Sequence, residues 1–179
     1  MLIIRPSIDA DLADITDIYA YHVLNGTGTF EVEPPSVQDM GARRSDVLGK
    51  GLPWLVAVDG GKVIGYAYCN WFKPRPAYRF SAEDSIYLHP SASKKGIGSL
   101  LLAELMAQAQ RVGVRKLIAV IGDSANLASI GVHKAAGFQS VGLLKSCGWK
   151  FNQWLDVVLM DKSLGEGDSS APTADPNKT

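Results

Sequence analysis

The sequence is poor in the residues that build covalent crosslinks and metal centres. It contains only 2 cysteines and 3 histidines among 179 residues. Cys69 and Cys147 are far apart and the histidines are scattered, so neither a disulfide framework nor a metal-ligand spacing is present. We therefore expect two buried thiols, no disulfide and no metal ion.

The chain also lacks an excess of charge of either sign and lacks a long hydrophobic run. Lys plus Arg and Asp plus Glu both number 18, which favours a small-molecule partner over nucleic acid or an anionic membrane surface. No window approaches the roughly 18 unbroken apolar residues of a membrane span, and the N-terminus does not have the pattern of a signal peptide. We expect a cytoplasmic protein.

The composition divides the chain into a folded part and a tail. A hydrophobic content of 46% is typical of one domain that can bury a sizeable core. Residues 165–179 are instead rich in Gly, Ser, Pro and Asp and have little to bury. The sequence thus predicts a single domain over residues 1–164 and a disordered C-terminal tail over residues 165–179.

Hydrophobic periodicity and turn residues predict the element order β-α-α-β-β-β-α-β-α-β-β. Ser7 or Asp9 is expected to cap the first helix, and Ser36 with Asp39 resembles a capping box for the second. Residues 59–61, Asp-Gly-Gly, predict a hairpin between two strands. This order indicates an α/β fold in which a mixed sheet has helices on both faces.

The most informative segment is Ser93-Lys94-Lys95-Gly96-Ile97-Gly98-Ser99. It lies between a predicted strand at residues 85–88 and a predicted amphipathic helix at residues 100–112. The glycines allow the backbone to bend, and the first turn of the helix offers amide N–H groups that have no intrahelical partner. These features predict a binding site for a phosphate or pyrophosphate.

Two common phosphate-binding motifs are excluded at this segment. A Walker loop requires Lys after its second glycine, whereas Lys94 and Lys95 both precede the glycines. A dinucleotide fingerprint requires a third glycine three residues after the second, and Leu101 occupies that position.

The pattern that remains, two basic residues followed by Gly-x-Gly at a helix start, resembles the pyrophosphate loop of the GNAT superfamily of N-acetyltransferases. The superfamily motif is Gln/Arg-x-x-Gly-x-Gly/Ala, and Ser93 replaces its first residue. A second motif resembles the same superfamily, because Asn126, Ser129, His133 and Gly137-Phe138 fall at the spacing Asn-x-x-Ala/Ser-x-x-x-Tyr-x-x-x-Gly-Phe.

Within the superfamily, residues 4–164 resemble the phosphinothricin and methionine sulfoximine N-acetyltransferases. The resemblance is carried by His133 at the usual Tyr position and by segments 71–78, 83–87 and 148–156. It implies the GNAT acyl-CoA acyltransferase fold, a central, mixed and splayed β-sheet flanked by helices. It also implies acetyl-CoA as the co-substrate, a homodimer, and a role in antibiotic or herbicide resistance.

The resemblance further implies which residues bind acetyl-CoA. In this fold the strand before the loop carries a bulge and splays from its neighbour, so that its backbone can bind the pantetheine arm. Asn126 could bind the pantetheine amides and could also be the N-cap of its helix, and both roles can hold at once. The residues expected to contact coenzyme A are Ile86, Tyr87, Leu88, Lys94, Lys95, Gly96, Ile97, Gly98, Ser99, Asn126 and Ser129.

Acetyl transfer to an amine requires a base, a group that polarises the thioester and a proton for the leaving thiolate. By resemblance, Glu83 is the general base for the acceptor ammonium, acting directly or through a water. His133 could donate to the sulfur or accept from a substrate-side water, and Tyr87 could protonate the thiolate. The sequence does not assign acid and base among Glu83, Tyr87 and His133. Without the resemblance, Glu83 would be interpreted as a solvated carboxylate and His133 as a structural histidine.

The acceptor is expected to bind between residues 26–31 and the loop at residues 71–80. Fixed positive charge on Lys73 and Arg75 would hold a carboxylate or an anionic head group, and Phe30 or Trp71 would pack on the apolar stem. The residues expected to contact the acceptor are Phe30, Lys73, Pro74, Arg75, Glu83, Asp84 and Ser85.

These expectations combine into one function and leave two alternatives. The leading hypothesis is acetylation of the α-amino group of a small amino-acid-like acceptor, such as phosphinothricin, methionine sulfoximine or methionine sulfone, by direct transfer in a ternary complex. The alternatives are a non-catalytic coenzyme A-binding sensor or assembly module, and an acetyltransferase for a protein or peptide amine. Trp149, Phe151 and Trp154 could form a dimer surface or belong to the core.

Overall fold

The computed structural model describes residues 1–172. In the predicted tail, residues 165–168 form turns and residues 169–170 a bend, and the guanidinium of Arg115 donates a hydrogen bond to Ser170 at 3.1 Å. The predicted disorder of residues 173–179 lies outside the described residues.

The strands and helices follow the predicted order, with short 3-10 turns between some of them. Their bounds are β1 (Ile3–Pro6), α1 (Leu12–Asn25), α2 (Val37–Gly49), β2 (Trp54–Asp59), β3 (Lys62–Trp71), β4 (Ser81–Leu88), α3 (Ile97–Arg111), β5 (Lys116–Gly122), α4 (Leu127–Ala135), β6 (Gln139–Lys150) and β7 (Gln153–Ser163).

The strands form one mixed sheet in the order β1-β2-β3-β4-β5-β7-β6. All neighbours are antiparallel except β4 and β5, which are parallel and joined by α3. Side chains alternate between the faces of a strand, and Tyr87 of β4 packs on Tyr19 of α1 while Asp84 contacts His133 of α4. Helices therefore cover both faces of the sheet, which confirms the predicted fold class.

The sheet opens between β4 and β5. Their pairing extends only from Ser81 opposite Lys116 to Asp84 opposite Ala119. Beyond this point, β4 continues beside β3 and β5 continues beside β7. The predicted bulge in β4 is wrong, because its register with β3 runs without a shift from Ala82 to Leu88. Separation of the two strands alone exposes the backbone edges that face each other across the opening.

The predicted caps of the first two helices differ in outcome. Ser36 and Asp39 form the capping box, with each backbone N–H 3.1 Å from the other side chain. Ser7 and Asp9 do not cap α1, because both accept hydrogen bonds of 2.7 Å from Arg44. They therefore connect α2 to the segment before α1.

The last two strands are longer than predicted and carry exposed apolar residues. Cys69 is buried as expected, but Cys147 is exposed because β6 is an outer strand paired only with β7. Trp149, Phe151 and Trp154 are 54%, 51% and 63% exposed, so they are not part of the core of this chain.

Across residues 1–172, none of the helices is both long and apolar enough to cross a lipid bilayer. The same part of the chain contains no cluster of three His, Cys, Asp or Glu side chains that could hold a metal ion.

Candidate active site

The opening between β4 and β5 continues into a cleft of about 1000 Å³. Its walls are the ends of both strands, the first turns of α3 and α4, and the connection between α1 and α2. The predicted site residues that line it are Phe30, Glu83, Asp84, Ser85, Ile86, Tyr87, Leu88, Lys94, Gly96, Ile97, Gly98, Ser99, Asn126, Ser129 and His133. Lys73, Pro74, Arg75 and Lys95 are not among the lining residues.

One end of the cleft is built to bind an anion. The helix α3 begins at Ile97, earlier than predicted, and Gly96 is its N-cap with a left-handed φ of 76°. No side chain caps this end, so the amides of the first turn remain available to a ligand. Together with Lys94, they form a cradle whose charge and donors suit the pyrophosphate of coenzyme A.

The carbonyl of Leu88 is already engaged in this structure. It lies 2.8 Å from Nε2 of His22, a cleft residue that the sequence analysis did not identify. Because a carbonyl can only accept, Nε2 carries the proton and Nδ1 is left as an acceptor. Burial lowers the pKa of His22, the Leu88 carbonyl opposes this, and the charge of Lys150 lowers it further. The lowered pKa favours the neutral form of His22.

The surroundings of Glu83 raise the pKa of its carboxyl above the usual value for glutamate. It shares a face of β4 with Ser85 and Tyr87. Burial raises the pKa of its carboxyl, the charge of Asp84 raises it further, and Lys73 acts in the opposite direction. A raised pKa makes this carboxylate a stronger base than an ordinary glutamate, which suits proton removal from an acceptor.

Asp84 and His133 form a buried pair on the other face of β4. Asp84 Oδ2 is 2.7 Å from His133 Nε2, and His133 Nδ1 is 2.8 Å from the carbonyl of Ser129. Burial alone would lower the pKa of His133, but the hydrogen bond and charge of Asp84 and the Ser129 carbonyl together raise it. Asp84 contacts His133, and both ring nitrogens of His133 have partners. The expected contact of Asp84 with the acceptor stays a prediction.

Asn126 is the N-cap of α4, which confirms one of the two interpretations considered for it. Its side-chain oxygen accepts from the amide of Ser129 at 3.2 Å, and its nitrogen donates to the carbonyl of Gly122 at 2.9 Å. Contact of Asn126 or Ser129 with the pantetheine arm stays a prediction.

Tyr87 belongs to an aromatic cluster beside the cleft. Its ring stacks on Tyr66 with centroids 5.4 Å apart and meets Tyr19 edge-on at 5.0 Å. Burial, the nearby tyrosines and Glu31 raise the pKa of Tyr87 well above its usual value. The hydroxyl is therefore neutral and remains a candidate proton donor.

The connection between α1 and α2 forms the wall of the cleft on the α1 side. Glu31 accepts a hydrogen bond from Tyr19 at 2.7 Å and is held by two nitrogens of Arg43 at 2.6 and 3.1 Å. Phe30 packs against Gly122, where an added Cβ would lie 2.7 Å from the ring. The sequence analysis placed Phe30 here but missed the partners of Glu31, since they are distant in sequence.

Lys73 and Arg75 lie in the exposed loop after β3. The ammonium of Lys73 is 4.9 Å from the centre of the Phe72 ring, and its charge lowers the pKa of Glu83. Lys73 is thus within electrostatic range of the cleft. The roles of Pro74, Arg75 and Lys95 in binding stay predictions.

Comparison with known proteins agrees with the cleft and the splayed sheet. Residues 17–138 match the profile of the acetyltransferase (GNAT) family. The chain is 49% identical to phosphinothricin N-acetyltransferase of Alcaligenes faecalis over 169 residues, which cover 94% of this chain and 86% of that protein. It is 34% identical to the L-methionine sulfoximine/L-methionine sulfone acetyltransferase of Salmonella typhimurium, with 96% and 98% of the two chains covered.

Solved structures show the same similarity in three dimensions. A GNAT superfamily phosphinothricin acetyltransferase from Sinorhizobium meliloti, solved in complex with AcCoA, has a TM-score of 0.95 and 47% identity, covering 99% of this chain and 97% of that one. The fold and the cleft are those of an acyltransferase. The chain belongs to the acetyltransferase (GNAT) family.

Proposed function

We propose that this enzyme acetylates the α-amino group of small amino-acid-like acceptors by direct transfer from acetyl-CoA in a ternary complex. The observation that carries the proposal is Glu83, a half-buried carboxyl with a raised pKa, in the same cleft as the anion cradle of α3. The relatives' names, phosphinothricin and L-methionine sulfoximine/L-methionine sulfone acetyltransferase, support acceptors of this class.

In the proposed mechanism, the cleft binds the donor along the opening of the sheet. The α3 amides and Lys94 hold the pyrophosphate, and the free edges of β4 and β5 flank the pantetheine arm. A backbone N–H of Ile86 to Leu88 polarises the thioester carbonyl. These contacts leave the carbonyl carbon open to attack from the side of Glu83.

Glu83 then removes a proton from the acceptor ammonium, and the neutral amine attacks the carbonyl carbon. The new C–N bond forms and the C–S bond breaks, so that the electron pair leaves on sulfur. Tyr87 donates the proton that converts this thiolate to the thiol, and its phenolate then takes the second proton of the acetylated nitrogen. Tyr87 is thereby restored, and the proton released overall is the one that Glu83 accepted. His133 is assigned to holding α4 against β4, because both of its ring nitrogens have partners.

Recognition of the acceptor is assigned to the two loops beside Glu83. Lys73 and Arg75 offer positive charge for a carboxylate or for a phosphinate, sulfoximine or sulfone head group. Phe30 offers an apolar surface for the stem, since its side chain is 36% exposed at the cleft wall.

The substrate class is tested by release of free thiol from acetyl-CoA. Purified protein is mixed with acetyl-CoA and with phosphinothricin, methionine sulfoximine or methionine sulfone, and the acetylated amine is identified by mass spectrometry. Thiol release that depends on the acceptor is expected. No release with any of the three would contradict the assignment of the acceptor.

The role of Glu83 is tested with Glu83→Gln. Loss of the base is expected to lower kcat by about 10²- to 10⁴-fold, while calorimetry shows unchanged binding of acetyl-CoA. Glu33→Gln, at an exposed position, is the matched control and should turn over normally. Full turnover by Glu83→Gln would remove Glu83 from the mechanism.

The proposal includes a homodimer formed through the exposed face of β6 and β7. Trp149, Phe151 and Trp154 are more than half exposed in the single chain, and Val141 is 60% exposed on the same hairpin. An apolar surface of this kind on a soluble domain is typical of a protein interface. The symmetric solution for identical chains is a twofold dimer.

The proposal also covers the cell biology of the enzyme. Residues 1–164 would act as one domain in the cytoplasm, where acetyl-CoA is made. Acetylation removes the positive charge of an amino group. It would therefore inactivate toxic amino acids whose targets recognise them as zwitterions. Antibiotic or herbicide resistance is the expected consequence, measurable as growth on phosphinothricin of cells that express the protein.

A further inference from the structure

Lys150, the last residue of β6, is a buried cation outside the catalytic groups described above. It is only 4% exposed. Its ammonium donates to the carbonyls of Gly26 and Thr29, both at 2.8 Å, and lies 5.0 Å from the centre of the Phe151 ring. An ammonium has three N–H donors. Two of them bond to the carbonyls, and the charge is also attracted to the face of the Phe151 ring.

The two carbonyls belong to the connection between α1 and α2 that forms a wall of the cleft. Residues 26–30 all line it. Lys150 is more than 120 positions away in sequence and reaches this wall from the far side, at the tip of the β6–β7 hairpin. The hairpin and the wall are therefore joined by a buried, charge-assisted pair of hydrogen bonds.

Phe30 joins the same two parts of the molecule at a second point. Its ring fills a notch beside Gly122 of β5 and Gly148 of β6, where a Cβ at either glycine would collide with the ring. The other end of the wall is fixed separately, since Glu31 is held by Tyr19 and Arg43. Without Lys150, the Gly26 and Thr29 carbonyls would lose this hydrogen-bond donor, and the contact of Phe30 with Gly148 would have to hold the hairpin against the wall.

We propose that Lys150 is a positioning residue that holds residues 26–30 in the shape required by the acceptor. The identity of the acceptor rests on the function proposed above. The anion cradle is built on α3, a different element, so binding of acetyl-CoA does not depend on the contacts of Lys150 with Gly26 and Thr29. Lys150 thus governs binding of the acceptor and leaves binding of the donor unchanged.

The test compares Lys150→Met with wild type, with Lys145→Met as the matched control at an exposed position of the same strand. Lys150→Met is expected to raise KM for the acceptor by about tenfold or more, equivalent to about 1.4 kcal/mol. The Kd of acetyl-CoA should stay within about twofold. Lys150→Arg, which keeps the charge and the donors, is expected to restore part of the loss.

Hydrogen exchange gives a readout that requires no acceptor. In Lys150→Met, the amides of Gly26 and Glu31, which are hydrogen-bonded in this structure, are expected to exchange faster, while those of β4 keep their protection. If wild type acetylates no acceptor, the proposed function fails. The exchange rates still test whether Lys150 holds residues 26–30 in place. Unchanged exchange in residues 26–31 would overturn the inference, as would equal losses in acceptor and acetyl-CoA binding.

A second variant applies if Lys150→Met does not fold. Gly148→Ala leaves Lys150 in place but forces the Phe30 ring out of its notch. It is expected to raise the acceptor KM and to leave the Kd of acetyl-CoA unchanged. A wild-type acceptor KM in Gly148→Ala would contradict the inference that the β6–β7 hairpin holds residues 26–30 in position.

Discussion

At the scale of single residues, the charges around Glu83 determine the pH at which its carboxylate can accept a proton. Burial and Asp84 raise its pKa, whereas Lys73 lowers it. A general base acts only when deprotonated, so activity should increase as the pH rises through this pKa. The acidic limb of the rate profile is therefore expected above the usual Glu value of 4.5.

Removal of the Lys73 charge should move that limb. In Lys73→Met the carboxylate loses a stabilising cation, so its pKa rises and the acidic limb of kcat/KM shifts to higher pH. The measurement is a pH profile of kcat/KM for both proteins. Lys62→Met, at an exposed position on β3, should keep the wild-type profile, and an unshifted limb in Lys73→Met would place Lys73 out of range of the base.

At the scale of elements, the start of α3 depends on a backbone conformation that favours glycine. Gly96 has φ of 76°, and open space surrounds the position of its Cβ. The cost of Gly96→Ala is therefore conformational, about 1–2 kcal/mol. If binding bears this cost, the Kd of acetyl-CoA rises by about tenfold.

The matched control is Gly49→Ala in α2, where the space is also open but φ is not in the left-handed region. Calorimetric titration with acetyl-CoA should give the wild-type Kd for this control. An equal Kd for Gly96→Ala would show that the donor does not rely on the cradle geometry.

The contact between β4 and α4 should make stability depend on pH. The pKa of His133 in the folded state is raised above its usual value of 6.5. Its contribution is therefore complete below pH 6.5 and is lost as the pH rises through the folded-state pKa. His133→Asn is expected to lower the free energy of unfolding at pH 6 by about 3–5 kcal/mol, and by less at pH 9.

Urea denaturation at the two pH values measures this difference. His89→Asn changes an exposed histidine and should lower stability little at either pH. A loss in His133→Asn that is equal at pH 6 and pH 9 would mean that the imidazole is not charged in the folded protein.

At the scale of the whole molecule, the exposed β6–β7 hairpin predicts self-association. Light scattering should give twice the 19.2 kDa mass of the chain. Trp154→Glu places a charge on the most exposed tryptophan of this face, at 63% exposure, and should yield the monomer mass. Val37→Glu, which changes an exposed apolar residue of α2, should keep the mass of the wild type.

Sequence and structure agree wherever a local signal was sufficient. The loop at Gly96 and the hairpin at residues 59–61 depend on glycines that adopt positive φ, and both are where the sequence predicted. The Ser36–Asp39 box was recognised for the same reason, because its partners are three residues apart. The bulge expected in β4 was wrong, since the sheet opens where the pairing of β4 with β5 stops after Asp84 and Ala119. No local pattern encodes where a pairing between two distant strands stops.

The site shows the same division. The sequence by itself determined the family. The contiguous glycine loop predicts the donor site and the resemblance predicts Glu83 as the base, and both assignments stay predictions. Only the tertiary structure decided that Asp84 contacts His133, that His22 takes the carbonyl of Leu88, and that Lys150 holds Gly26 and Thr29. These partners are 49, 66 and more than 120 positions apart, and folding of the sheet and its helices is what brings them within hydrogen-bonding distance.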